Sequence, residues 1–232
     1  MPSDFGYATT TTFLRGLFAP VIRRRVIGRH HVPRDGACIL APNHISHFDP
    51  PIIGPSIRRT TDWMAMRELF AIPLVGRWLG YVGTFPVEMG KFDAAAVRTA
   101  ITRLRAGRMV GVFPEGGLRT GPESVLEGAP LRPGVSALAQ MTGARVLPCV
   151  IIGSDALYTP KRWLPLRRTR VWVVFGEPLE PPGDKPDKAT ARAEFEKRLG
   201  AILRSIYERT VREEAIPADC LPQTPQRRKG KA

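Results

Sequence analysis

From residue 93 to 107 the apolar positions Val97, Ala100, Ile101 and Leu104 recur every three or four residues, which gathers them on one face of a helix. Asp93 suits the N-cap, where a carboxylate accepts from free backbone N–H groups, and Gly107 suits the left-handed stop. The pattern returns over residues 134–142, closed by Gly143, and from Asp187 to about Arg209, where Phe195, Leu199, Ile202 and Ile206 form a stripe. Between these segments lie short unbroken apolar runs at 37–41, 109–113, 146–152 and 171–175. Runs without polar alternation suit strands covered on both faces. Strands separated by helices predict a single α/β domain with a mixed, mostly parallel sheet flanked by helices.

Residues 13–22 set Phe13, Leu14, Leu17, Phe18, Val21 and Ile22 along one helical face, with Arg15 and then Arg23, Arg24 and Arg25 alongside, and Pro20 shortens the helix. A basic amphipathic segment of this kind either lies in a membrane interface or packs on the protein's own core, and the pattern does not choose between the two. The chain divides accordingly into an N-terminal membrane-contact segment (1–25), a domain (26–212) and a basic, Pro-containing tail (213–232) expected to be disordered.

Charge narrows the partners. The chain has 35 Lys and Arg against 21 Asp and Glu, a formal net charge of +14. A surplus of that size favours nucleic acid, phosphorylated small molecules or acidic lipid headgroups. A basic nucleic-acid-binding module is one rival reading, but neither zinc-finger spacing nor an RNP-like aromatic block accompanies the charge, so nucleic acid is not the expected partner. Cys38, Cys149 and Cys220 are far apart and odd in number, which supports neither a disulfide framework nor a CxxC metal site. Residues 1–12 lack the positive start and apolar stretch of a signal peptide. No run approaches the ~18 to 20 apolar residues of a spanning helix, so the expectation is peripheral contact at the cytoplasmic face of a membrane.

The segment Asn43-His44-Ile45-Ser46-His47-Phe48-Asp49-Pro50 follows the strand expected at 37–41, where α/β folds carry functional groups. Imidazole titrates near neutrality and suits proton abstraction, and a neighbouring carboxylate can fix its tautomer. His44 and Asp49 would stand about 140° apart on a regular helix, so their pairing needs a bend, which Pro50 and Pro51 favour. Two capping readings stay open beside it. Either Asp49 caps a helix opening at Pro50, or Ser46 caps it with Asp49 as its acidic partner three residues on. His44, His47 and Asp49 also lie close enough to ligate a metal, with His30 and His31 left to complete the site, which makes a metal-dependent hydrolase a second rival.

Asn43-His44, four residues and Asp49 together resemble the first signature block of the HX4D glycerolipid acyltransferases. Phe113-Pro114-Glu115-Gly116-Gly117-Leu118-Arg119-Thr120 resembles that family's Phe-Pro-Glu-Gly-Thr-Arg-Ser block. Two further stretches are similar to the family's: Arg67-Glu68-Leu69-Phe70 with Ile72, Pro73 and Gly76, and Val146 through Gly153. The resemblance runs from about residue 26 to 178. It departs at two places: Met89 stands where the family's second block has an Arg associated with the acceptor phosphate, and Leu118 separates Gly117 from Arg119.

The resemblance implies the lysophosphatidic acid acyltransferase type of fold and direct acyl transfer from acyl-CoA or acyl carrier protein to a lysophospholipid hydroxyl, with no cofactor or metal. His44 is then the catalytic base and Asp49 its partner. Asn43, Glu115, Gly116, Gly117 and Arg119 are the implied substrate-binding residues, with Lys91 and Arg132 as substitutes for the displaced arginines. The apolar stretch from Trp63 to Leu79 suits an acyl tunnel wall, a bilayer contact or ordinary core.

Overall fold

A computed structural model of the chain describes residues 4–88, 90, 92–163, 168–183 and 187–223. Met89 and Lys91 lie outside the described residues, as does the last part of the tail from 224.

Among the described residues one sheet has seven strands, β1 (Ile22–Ile27), β2 (Cys38–Pro42), β3 (Thr61–Met66), β4 (Phe85–Val87), β5 (Met109–Gly111), β6 (Arg145–Ile152) and β7 (Thr169–Phe175), in the order β1-β7-β6-β2-β5-β3-β4. Every pairing is parallel except β6 with β7, so the expected mixed, mostly parallel α/β sheet is what the chain forms. Period-two alternation explains the unbroken apolar runs. In β2, Ile39 and Ala41 face one cluster while Cys38 and Leu40 face the other.

The first cluster is covered by α5 (Ala94–Arg105), α6 (Gly134–Thr142) and α7 (Lys188–Glu213), which contribute Leu104, Leu138, Leu199 and Leu203. The second lies beneath α1 (Asp4–Phe18) and α2 (Asp49–Ile53), through Phe18, Ile52 and Ile53. Asp93 and Asp187 cap α5 and α7, each accepting from two backbone N–H groups. On α7 the buried stripe runs through Phe195, Leu199, Leu203 and Ile206, so Leu203 takes the place expected for Ile202.

Two boundaries read from the sequence move. The helix expected over 13–22 begins at Asp4 and stops at Phe18, ahead of Pro20, whose ring and missing N–H end it. Ile22 then opens β1, and the 25/26 boundary falls inside that strand. Its Arg23, Arg24 and Arg25 are tolerated because β1 is an edge strand, paired only with β7. At the other end, Ile216 and Cys220 are buried and Gln223 N–H donates to Asp155 Oδ2 at 2.9 Å. The segment from 213 to 223 is therefore packed on the domain rather than disordered.

Candidate active site

The three central strands β5, β2 and β6 run parallel, so their C-terminal ends open on one edge of the sheet. Asn43 and His44 follow β2, Phe113 to Arg119 follow β5, and Ser154 follows β6 after the left-handed Gly153 (φ +87°). Segments more than a hundred residues apart in sequence thus meet at one place.

His44 Nδ1 lies 2.8 Å from Asp49 Oδ2. The fully buried Asp49 carboxylate also accepts from Ile45 N–H (2.8 Å), Ser46 N–H (2.9 Å) and, through Oδ1, Ser154 Oγ (2.5 Å). With its lone pairs aimed at donors, it assigns the proton to Nδ1 and leaves Nε2 as the basic nitrogen. Of the readings left open, the pairing is what forms: α2 has no side-chain cap, Asp49 accepts from N–H groups ahead of the helix, and Ser46 Oγ takes the Phe48 N–H. The chain turns with Asp49 N–H on the Ser46 backbone O, the Asp49 carboxylate reaches back to the Ser46 N–H, and the same oxygen holds the imidazole.

The imidazole is fixed in plane as well as in tautomer. It stacks on Phe113 with ring centroids 3.7 Å apart at 17°, and Phe113 stacks in turn on Trp63 at 5.5 Å. Trp63 fits there because Gly111 has no side chain; a Cβ on Gly111 would run into its ring. Phe113 and Ser154 are not marked by the sequence as site residues, although Phe113 opens the Phe-Pro-Glu-Gly stretch and Ser154 directly follows the segment ending at Gly153.

Two residues expected to touch substrate serve the scaffold instead. Asn43 is buried and uses both ends of its amide on the Ile151 backbone, donating to the carbonyl (3.1 Å) and accepting from the N–H (2.7 Å). Glu115 is also buried. Its Oε2 accepts from His44 N–H (2.6 Å), and its Oε1 accepts from Ser124 Oγ (3.0 Å) and Val125 N–H (2.9 Å). Burial raises the Glu115 carboxyl above its usual range, against the opposing pull of these three donors. Its oxygens are committed, so it braces the loop that carries His44.

The remaining residues divide. Arg119 N–H donates to His44 O at 2.8 Å, but its guanidinium pairs with Glu123 Oε2 at 2.9 Å. Gly116 N–H is used on Phe113 O (3.1 Å), whereas Gly117 N–H has no acceptor among the described residues. Arg132 is bound through its backbone N–H to Pro114 O at 2.9 Å. In the apolar stretch, Trp63 and Leu79 are core, while Ile72, Leu74 and Trp78 are exposed. His47 turns away to Tyr158, whose hydroxyl lies 2.5 Å from Nδ1. Among the described residues no three His, Cys, Asp or Glu converge as metal ligands.

A buried carboxylate, an oriented imidazole and a glycine turn thus lie together at the open edge of a parallel sheet, an arrangement able to abstract a proton. A family model described as Acyltransferase matches residues 23–152, from β1 to the end of β6, and the chain belongs to that family. It is 27% identical over 186 residues to the 1-acyl-sn-glycerol-3-phosphate acyltransferase of Bacillus subtilis, covering 80% of this chain and 85% of that one. It is 26% identical over 178 residues to the enzyme of the same name from Streptococcus pneumoniae, covering 73% and 62%. The crystal structure of the 1-acyl-sn-glycerophosphate acyltransferase PlsC from Thermotoga maritima superposes with a TM-score of 0.66 at 25% identity, over 87% of this chain and 79% of that one.

Proposed function

We propose that the chain transfers a fatty acyl group from a thioester, acyl-CoA or acyl carrier protein, to the free hydroxyl of 1-acyl-sn-glycerol 3-phosphate, giving phosphatidic acid. The observation that carries this reading is the 2.8 Å contact of His44 Nδ1 with the buried Asp49 carboxylate, in a chain similar to proteins that bear that activity in their names. Nε2 takes the acceptor's hydroxyl proton as its oxygen attacks the thioester carbonyl, and Asp49 stabilises the imidazolium. The tetrahedral oxyanion is met by the uncommitted Gly117 N–H. Collapse breaks the carbon–sulfur bond, and the proton held on Nε2 passes to the leaving thiolate, leaving ester and thiol as products. His44, Asp49 and Gly117 carry the chemistry.

The same reading places the protein at the cytoplasmic face of a membrane. No helix among the described residues is long and apolar enough to span a bilayer. Instead α1 exposes Phe5 (73%), Phe13 (67%) and Leu17, and α4 (Pro73–Tyr81) exposes Leu74 (80%), Trp78 and Tyr81. The two helices touch where Gly6 of α1 meets the Tyr81 ring. An apolar face of that extent beside a basic body suits peripheral contact with anionic lipid.

The purified protein incubated with acyl-CoA and 1-acyl-sn-glycerol 3-phosphate is expected to release free thiol and form phosphatidic acid in equal amounts. Absence of product with both acyl-CoA and acyl carrier protein donors refutes the reading.

A further inference from the structure

We infer that Arg132, and not Arg119, holds the anionic headgroup of the acceptor, so that Arg132 sets the preference for a phosphomonoester over an uncharged lysolipid. This rests on the acyltransferase reading above and names the residue that selects its substrate class.

Arg132 is placed by its own backbone. Its N–H bond to Pro114 O sets it beside the turn whose next residue, Glu115, holds the His44 N–H. From there its stem crosses Gly116. A Cβ built on Gly116 would lie 2.7 Å from Arg132 Cδ and 3.1 Å from Nε, and Gly116 itself sits at φ +67°. Glycine is thus required twice at this position, for the left-handed backbone and for the lane in which the arginine lies. The outcome is an arginine stem laid against the turn after β5, whose Glu115 accepts from the His44 N–H.

Charge then separates the two arginines. The Arg119 guanidinium pairs with Glu123 four residues on, whereas that of Arg132 makes no hydrogen bond or ion pair among the described residues. An exposed cation with no internal counter-charge keeps all its donors for a ligand. A guanidinium presents them as a fork that matches two oxygens of a phosphate, and a phosphomonoester brings about −1.5 to −2 charges at neutral pH.

The test compares kcat/KM for 1-acyl-sn-glycerol 3-phosphate and for a monoacylglycerol of the same acyl chain, in detergent micelles, for the wild type and for Arg132→Gln, Arg132→Lys and Arg119→Gln. Glutamine keeps the stem over Gly116 and removes the charge. The ratio of the two kcat/KM values is expected to fall at least tenfold in Arg132→Gln through a raised KM for the phosphorylated acceptor, to recover in part in Arg132→Lys, and to fall less in Arg119→Gln. A merely structural role lowers both acceptors together and leaves the ratio in place. A fall of less than tenfold, or a larger one in Arg119→Gln, overturns the inference while acyl transfer by the wild type stands. A wild type inactive on both acceptors sinks the underlying reading instead.

Discussion

Glu115 shows how a single carboxyl is bound to the loop it braces. Its two oxygens serve three donors on two segments, and Glu115→Gln offers an oxygen to one side while turning an NH2 group towards donors on the other. That change leaves at least one buried donor without an acceptor, at a cost of about 1–3 kcal/mol. It also removes a titration. A carboxyl raised by burial holds its proton more tightly in the fold than in the unfolded chain. This contribution therefore favours the fold below the usual value of 4.5 and is lost as pH rises through the folded value. Denaturant unfolding followed from pH 4 upward should show the wild type losing stability relative to Glu115→Gln as pH rises; parallel curves contradict a raised folded value. Its sequence context marked Glu115 as important but not its role, because the donors from Ser124 and Val125 come from a turn that no motif announces. His44 and Asp49 were legible as a pair because both belong to one short segment. Their hydroxyl partner Ser154 stands 105 positions from Asp49, and only folding makes the two neighbours.

The elements followed their hydrophobic periodicity wherever two faces or one stripe were buried, as in β6, β7, α5 and α6. Periodicity failed at β1, where an edge strand carries three consecutive arginines and its pairing to β7 is set by the sheet. It also placed α1 too late, because the buried Tyr7 that fastens the start of that helix lies among small and polar residues. The corrected α1 separates core from surface: Tyr7 and Phe18 face inward, Phe13 and Leu17 outward. Removing residues 1–25 would take away most of β1 and unfold the sheet, so the membrane proposal is better tested by Phe13→Ser with Leu17→Ser, which spares the core. Co-sedimentation with vesicles containing anionic phospholipid should fall several-fold in the double variant, with its melting temperature held. Undiminished binding contradicts a role for this face.

At the scale of the molecule, the architecture accounts for the economy of the site. Three parallel strands end on one edge, the loop after each supplies one part of the constellation, and the rest of the chain builds the two cores that hold those ends in register. The fold class was legible from alternating strands and helices, and two motif blocks in order pointed to the site. The sheet order and the antiparallel β6–β7 pairing arise from contacts between separate segments, for which the motifs carry no signal.

The central claim is that His44 Nε2 takes the proton of the attacking hydroxyl. Steady-state turnover of His44→Ala with acyl-CoA and 1-acyl-sn-glycerol 3-phosphate tests it most directly, with its melting curve recorded beside it. A folded variant with kcat at least ~100-fold below that of the wild type, the lower end of what general-base catalysis contributes, is the predicted result. A folded variant that turns over at the wild-type rate contradicts it.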